Sequence, residues 1–187
     1  MNDRVLIAGI GNVFLGDDGF GVETVRALAA HPLPDGVEAV DFGVRGVHLA
    51  YQILDGYDTL VLVDATARGG EPGTLYLIEA DGSTSTSTST GQGGAAAGAP
   101  EAPVLDGHQM SPDTVLALLD TLCAGTGATP PRRTLVLGCE PAGVEEGIGL
   151  SAPVAAAVPE AVRMALNLIH GRADETERTR RELRRTP

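Results

Sequence analysis

Residues 4–21 read Arg-Val-Leu-Ile-Ala-Gly-Ile-Gly-Asn-Val-Phe-Leu-Gly-Asp-Asp-Gly-Phe-Gly. The run Arg4–Gly9 is short, apolar and closed by glycine, the pattern of a buried strand. The loop Ile10–Gly19 follows with two adjacent carboxylates, Asp17 and Asp18. From Gly19 to Ala30 the apolar residues Val22, Val25, Leu28 and Ala29 recur at a helical period, which stops before Pro32. Strand, loop, helix is the opening unit of a parallel α/β sheet.

The rest of the chain repeats that unit. Val37–Asp41 is a second strand, and Val47–Leu54 a second helix with Val47, Ala50, Tyr51 and Leu54 on one face. Thr59–Asp64 (TLVLVD) is continuously apolar until its last residue, as in a strand covered on both faces. Gly73–Glu79 alternates and predicts an edge strand. Ser111–Leu122 predicts a helix with Ser111 as N-cap and Pro112 in its first turn. Thr134–Cys139 is another buried strand. Ser151–Ile169 is a long amphipathic helix with Gly171 just past its end. This order predicts an α/β fold, a mostly parallel sheet with helices on both faces, in a single domain over residues 1–170. Two tracts lie outside it. Residues 81–103 are Ser/Thr-rich and then Gly/Ala/Pro-rich, a loop composition. Residues 171–187 are a charged tail, disordered or a frayed helix extension.

Composition narrows the function. The chain has 187 residues, 43% of them hydrophobic, enough for a core, but only 3% aromatic and no Trp. Base-stacking platforms are hard to build from that set. A net charge of −12 repels a phosphate backbone, so no nucleic-acid partner is expected. Every cation is Arg, which removes Lys-dependent chemistry such as a P-loop or a Schiff base. No apolar run is expected to approach the roughly 18 residues that span a bilayer. Met1-Asn2-Asp3-Arg4 enters the first strand without a signal-peptide pattern. Cys123 and Cys139 make neither a disulfide framework nor a Cys-based zinc site. A reduced, cytoplasmic protein with no membrane partner is the expectation.

In a doubly wound sheet, functional groups gather beyond the carboxyl ends of the strands. That rule brings Asp18, Asp41 and Asp64 to one edge, with His108 delivered by the loop Asp106–Ser111. Two carboxylates and one imidazole form an open set suited to a divalent first-row ion; imidazole suits nickel and zinc alike. Each residue also has a plainer reading. Asp17 or Asp18 can cap the first helix and complement its dipole. His108 can be solvent-exposed, and Arg45 can pair with Asp41 or meet an anionic substrate. Asp64 is the clearest candidate, because an acid ending a buried strand is costly unless paired or functional. Gly9-Ile10-Gly11 with Asp41 imitates a dinucleotide-binding fingerprint, but the third glycine position is Phe14.

Gly9-Ile10-Gly11-Asn12, Asp17-Asp18-Gly19-Phe20-Gly21, Asp41-Phe42-Gly43 and Leu62-Val63-Asp64-Ala65 occur in order. His108-Gln109, Gly138-Cys139-Glu140-Pro141 and Gly147-Ile148-Gly149-Leu150-Ser151 follow them. This series resembles the nickel–iron hydrogenase maturation endopeptidases, over about residues 4–80 and 104–170. The resemblance implies a three-layer α/β/α sandwich around a five-stranded twisted sheet, acting as a monomer on the large-subunit precursor. It implies that Asp18, Asp64 and His108 bind nickel carried by that precursor and take part in removing its C-terminal peptide. Asp41 is a further catalytic or positioning candidate. Such proteins often have Glu where Asp18 stands, and Gly-Gly where Phe42-Gly43 stands, a segment tied to substrate recognition. A nickel-checking chaperone that docks without cutting, and a nucleotide binder, are the competing expectations.

Overall fold

The computed structural model describes residues 4–80 and 111–183, with side chains through residue 170. Five strands form one sheet: β1 (Val5–Ile10), β2 (Val37–Gly43), β3 (Thr59–Ala65), β4 (Leu75–Ala80) and β5 (Arg133–Cys139). The spatial order is β2-β1-β3-β5-β4. β1 pairs in parallel with β2 and β3, β3 with β5, and only β4 runs antiparallel, at the edge. The α-helices among the described residues are α1 (Phe20–Leu28), α2 (Gly46–Ile53), α3 (Pro112–Thr126) and α4 (Ala152–Leu183).

Strand alternation sorts the core into two layers. Ile7, Val61, Val63, Leu135 and Leu137 meet α1 and α4 through Phe20, Val25, Leu28, Val154, Ala161 and Ile169. Leu6, Ala8, Leu60, Leu62 and Val136 meet α2 and α3 through Leu49, Ile53, Val115 and Leu119. The result is the expected α/β/α sandwich.

Several elements differ from the sequence reading. A 3₁₀ turn, Gly16–Gly19, precedes α1. The buried face of α2 is Leu49, Ala50 and Ile53, while Val47 and Tyr51 lie exposed. Two apolar stripes compete on this short helix, and the one carrying the larger aliphatic side chains takes the core. Ser111 caps α3 as expected, accepting from Thr114 N at 3.3 Å, but α3 runs on to Gly127 in the left-handed region. α4 likewise passes through Gly171 to Leu183. The Ala, Arg and Glu residues beyond Gly171 are strong helix formers, and one glycine costs only about 1 kcal/mol. By length and composition Ala152–His170 is also apolar enough to cross a membrane, with mean hydropathy 1.3. Here Val154, Ala161, Ala165 and Ile169 spend that apolar stripe on the sheet.

The switch in winding falls between β1 and β3, where the two connections leave in opposite directions and open a crevice. α1 lies against this point because Gly21 has no side chain: a Cβ there would strike the carbonyl oxygens of Val63 and Ile10. Gly21→Ala is therefore expected to cost on the order of 3 kcal/mol. Denaturant unfolding should register this; an unchanged midpoint would mean that α1 can lift from the sheet freely.

Candidate active site at the switch point

The crevice holds two of the expected residues. Asp18 sits in the 3₁₀ turn after β1 and accepts from the backbone N–H of Asn12 at 2.6 Å. Gly11, at φ +123°, makes this turn possible, since any side chain there would run into the Asp18 carbonyl. Gly11 is thus accounted for by chain packing.

Asp64 ends β3. Leu60 and Leu62 alternate with Val61 and Val63, so Asp64 shares the α2–α3 face with Leu62. It is 5% exposed, and among the described residues its Oδ1 has no hydrogen-bond partner. Burial, and then the neighbouring charge of Asp18, push its carboxyl well above the usual carboxylate range; the backbone N–H of Ala65 offsets part of this. Among the described residues this carboxylate has no cationic partner, and only the Ala65 N–H offsets its charge. A cation brought into the crevice would supply one, so these two oxygen donors fit a divalent ion. Among the described residues no three His, Cys, Asp or Glu side chains gather into a metal cluster. His108, the third member of the expected set, lies outside the described residues, as does the tract 81–103.

Asp41 stands apart. It pairs opposite Gly9 together with Val63, and with Val37 and Ala39 it belongs to the α1–α4 face. Its Oδ2 is held by Arg26 at 3.0 Å. Asp41 and Asp64 therefore project from opposite faces of the sheet. Arg45 resolves differently from either expectation, donating to the backbone carbonyls of Phe42 at 3.0 Å and of Asp41 at 2.5 Å. Phe42 itself is buried in the α2–α3 core. The residue that stands where such proteins often carry a glycine fills space rather than facing a partner.

Asp17 does not cap α1. Its buried carboxylate crosses 134 positions in sequence to Ser151, accepting from the backbone N–H at 2.6 Å and from the hydroxyl at 2.9 Å. It also accepts from Ala142 N at 2.8 Å and Gly143 N at 3.3 Å. Burial alone would raise this carboxyl, but the bonds from Ser151, Ala142 and Gly143 bring it below its usual value. The acid does serve a helix N-terminus, that of α4.

Two further rim residues carry no assigned role in the sequence reading. Glu140, directly after β5, is buried and accepts from Arg68 N at 2.8 Å, Gly69 N at 3.0 Å and the Tyr76 hydroxyl at 2.9 Å. It anchors the loop that follows Asp64. Its signal is the one that marked Asp64, an acid ending an apolar strand. Thr66, two residues past Asp64, has a buried Oγ1 without a partner among the described residues and lies against Gly138, the residue paired with Asp64. Cys139 is buried and free, with burial chiefly raising its thiol to about 11, which leaves it inert as a nucleophile.

Comparison with known proteins agrees with this geometry. A family model for hydrogenase maturation proteases (HycI) matches residues 22–90. The hydrogenase expression/formation protein HupD of Rhizobium leguminosarum bv. viciae is 34% identical over 174 residues, covering 89% of this chain and 74% of that protein. The hydrogenase 2 maturation protease of Escherichia coli is 32% identical over 167 residues, covering 87% and 88%. The structure of the hydrogenase maturating endopeptidase HybD from Escherichia coli superposes with a TM-score of 0.64 at 30% identity, covering 90% of this chain and 93% of that one. With that identity, coverage and sheet, the chain belongs to the hydrogenase maturation protease family.

Proposed function

We propose that this protein is an endopeptidase that removes a C-terminal peptide from the precursor of a nickel–iron hydrogenase large subunit once nickel has been inserted. The single observation that carries the reading is Asp64, a buried carboxylate beside Asp18 at the switch point, with one oxygen unpartnered among the described residues. Such a group is poised to receive a cation that arrives from outside. Asp18, Asp64 and His108 are assigned as the ligands that the enzyme offers to the nickel carried by its substrate. An open three-ligand set can share a metal with substrate groups, whereas a closed four-ligand set cannot. Asp41, held by Arg26, is assigned to positioning the 42–45 turn. The enzyme works as a cytoplasmic monomer on a larger partner, a reading that its acidic surface and free thiols support.

A consequence concerns pH. With the precursor absent, Asp64 holds a proton more tightly than an ordinary carboxyl does. Nickel and that proton compete for the same oxygen, so affinity for the loaded precursor should fall as pH drops, and affinity for the unloaded one should not. Steady-state KM measured from pH 8 to pH 5 checks this; a KM for loaded precursor that is flat across that range contradicts it. Purified precursor with the protein, followed by mass spectrometry, separates the two functional readings. Release of the C-terminal peptide is expected. A stable complex with an intact precursor would instead favour the non-cleaving chaperone.

A further inference from the structure

Beyond the crevice, the carboxyl rim of the sheet displays apolar side chains that stay exposed among the described residues. Phe14 is 64% exposed, Val144 51% and Ile148 84%. They lie on two loops, residues 12–16 and 142–150, that run side by side: Gly147 N donates to Phe14 O at 2.9 Å and Gly16 N to Gly147 O at 2.9 Å. Asp17 N donates to Gly143 O at 3.2 Å, and the Asp17 carboxylate binds both ends of the second loop. The fold thus buries a charged side chain to hold an apolar rim open to solvent, where collapse onto the core would otherwise be favoured. Below Ile148 a cleft of about 670 Å³ opens between α1 and the start of α4, floored by Val13, Ala27, Leu150, Ala155 and Val158.

We infer that this rim and cleft form a rigid docking surface for the body of the precursor, taking an apolar segment flanked by basic side chains. The inference rests on the proposed function for its partner and extends it to a second contact away from the cleaved tail. Three observations choose the occupant. Glu145 and Glu146 stand exposed between Val144 and Ile148, and Arg26 at the mouth of the cleft is already engaged by Glu23 and Asp41. The surface is therefore acidic around an apolar centre, which selects basic flanks. A second copy of this chain, at net charge −12, would oppose acid to acid, and an anionic membrane would be repelled in the same way. Finally, the rim is continuous with the crevice: Phe14, Asp17 and Asp18 belong to one loop and its 3₁₀ turn. A body seated on the rim is held at a fixed offset from Asp18, and its tail is delivered to Asp64 at high effective concentration.

The test uses full-length protein and a purified large-subunit precursor. Binding is read by biolayer interferometry on the Asp64→Asn background, so that docking is measured without cleavage. Ile148→Asp and Phe14→Asp are each expected to weaken binding at least tenfold, and in the cleavage-competent protein to raise KM more than they lower kcat. Glu145→Lys with Glu146→Lys should slow association and flatten its salt dependence. Leu77→Asp, an exposed apolar residue on the far edge strand β4, should change neither. Unchanged binding by Ile148→Asp, with its melting temperature intact, overturns the inference. So does a wild-type dimer in sedimentation that Ile148→Asp dissociates, because a second copy would then own the surface. Wild-type binding that is lost in Ile148→Asp, with no peptide ever released, sustains the docking surface and removes the endopeptidase reading.

Discussion

Asp64→Asn should abolish precursor processing and at the same time raise the stability of the folded protein. The substitution keeps the shape of the side chain while removing the charge that burial and Asp18 make unfavourable. Loss of a group that handles charge at the reacting centre costs roughly 10²–10⁴-fold in rate. Removing a buried charge that no cation among the described residues offsets gains of order 1 kcal/mol, or about 2–4 °C in melting temperature for a chain of this size. The sign follows from proton linkage. A raised native carboxyl binds more protons than its unfolded counterpart between the usual value of 3.8 and its native value. Wild-type stability therefore falls as pH rises through that window. The advantage of Asp64→Asn is full above the native value and vanishes below about pH 4. Calorimetry of both proteins at pH 7.5 and pH 3.5 reads this directly. A variant that is less stable than wild type at pH 7.5 would mean that Asp64 has a buried partner of its own.

Asp17→Ala should do the opposite, with a large loss of stability. Three backbone N–H groups and the Ser151 hydroxyl lose one shared acceptor that is 1% exposed. Leaving such donors unmet points to about 4 kcal/mol in total, a fall of roughly 8–16 °C. The pH behaviour is reversed as well. A carboxyl held below its usual 3.8 contributes stability that is present above that value and lost as pH falls through its lower folded value. Wild type and variant should then converge only under strong acid. Asp17→Asn, which keeps one acceptor oxygen, should recover part of the loss. An Asp17→Ala protein that melts within 2 °C of wild type would show that the 142–151 loop is held by other means.

The parts of this structure that are legible in sequence are those whose cause is local. β1, β3 and β5 are apolar runs bounded by glycine, Asp or Cys, and Ser111-Pro112 announces the start of α3 without help from elsewhere. Asp64 could be singled out because an acid at the end of TLVLVD is anomalous on its own terms. Asp17 could not be read correctly: its partners lie more than 120 residues away, and its position before α1 offers a nearer and false explanation. Asp41 shows the limit of reasoning from strand ends. The rule brings it to the right edge, but the pleat puts it on the face opposite Asp64, and Arg26 of α1 claims it. The exposed Val47 and Tyr51 of α2 fail for a related reason, since two apolar stripes are distinguished only by what the sheet presents to them.

In the proposed function, Asp18, Asp64 and His108 let this protease read nickel in its substrate. The most direct measurement is mass spectrometry of nickel-loaded and nickel-free large-subunit precursors, each incubated with the wild-type protein and with His108→Ala. Release of the C-terminal peptide from the loaded precursor alone is expected, and loss of that release in His108→Ala. Trimming of both precursors at comparable rates would contradict it, leaving a protease that cuts without consulting the metal.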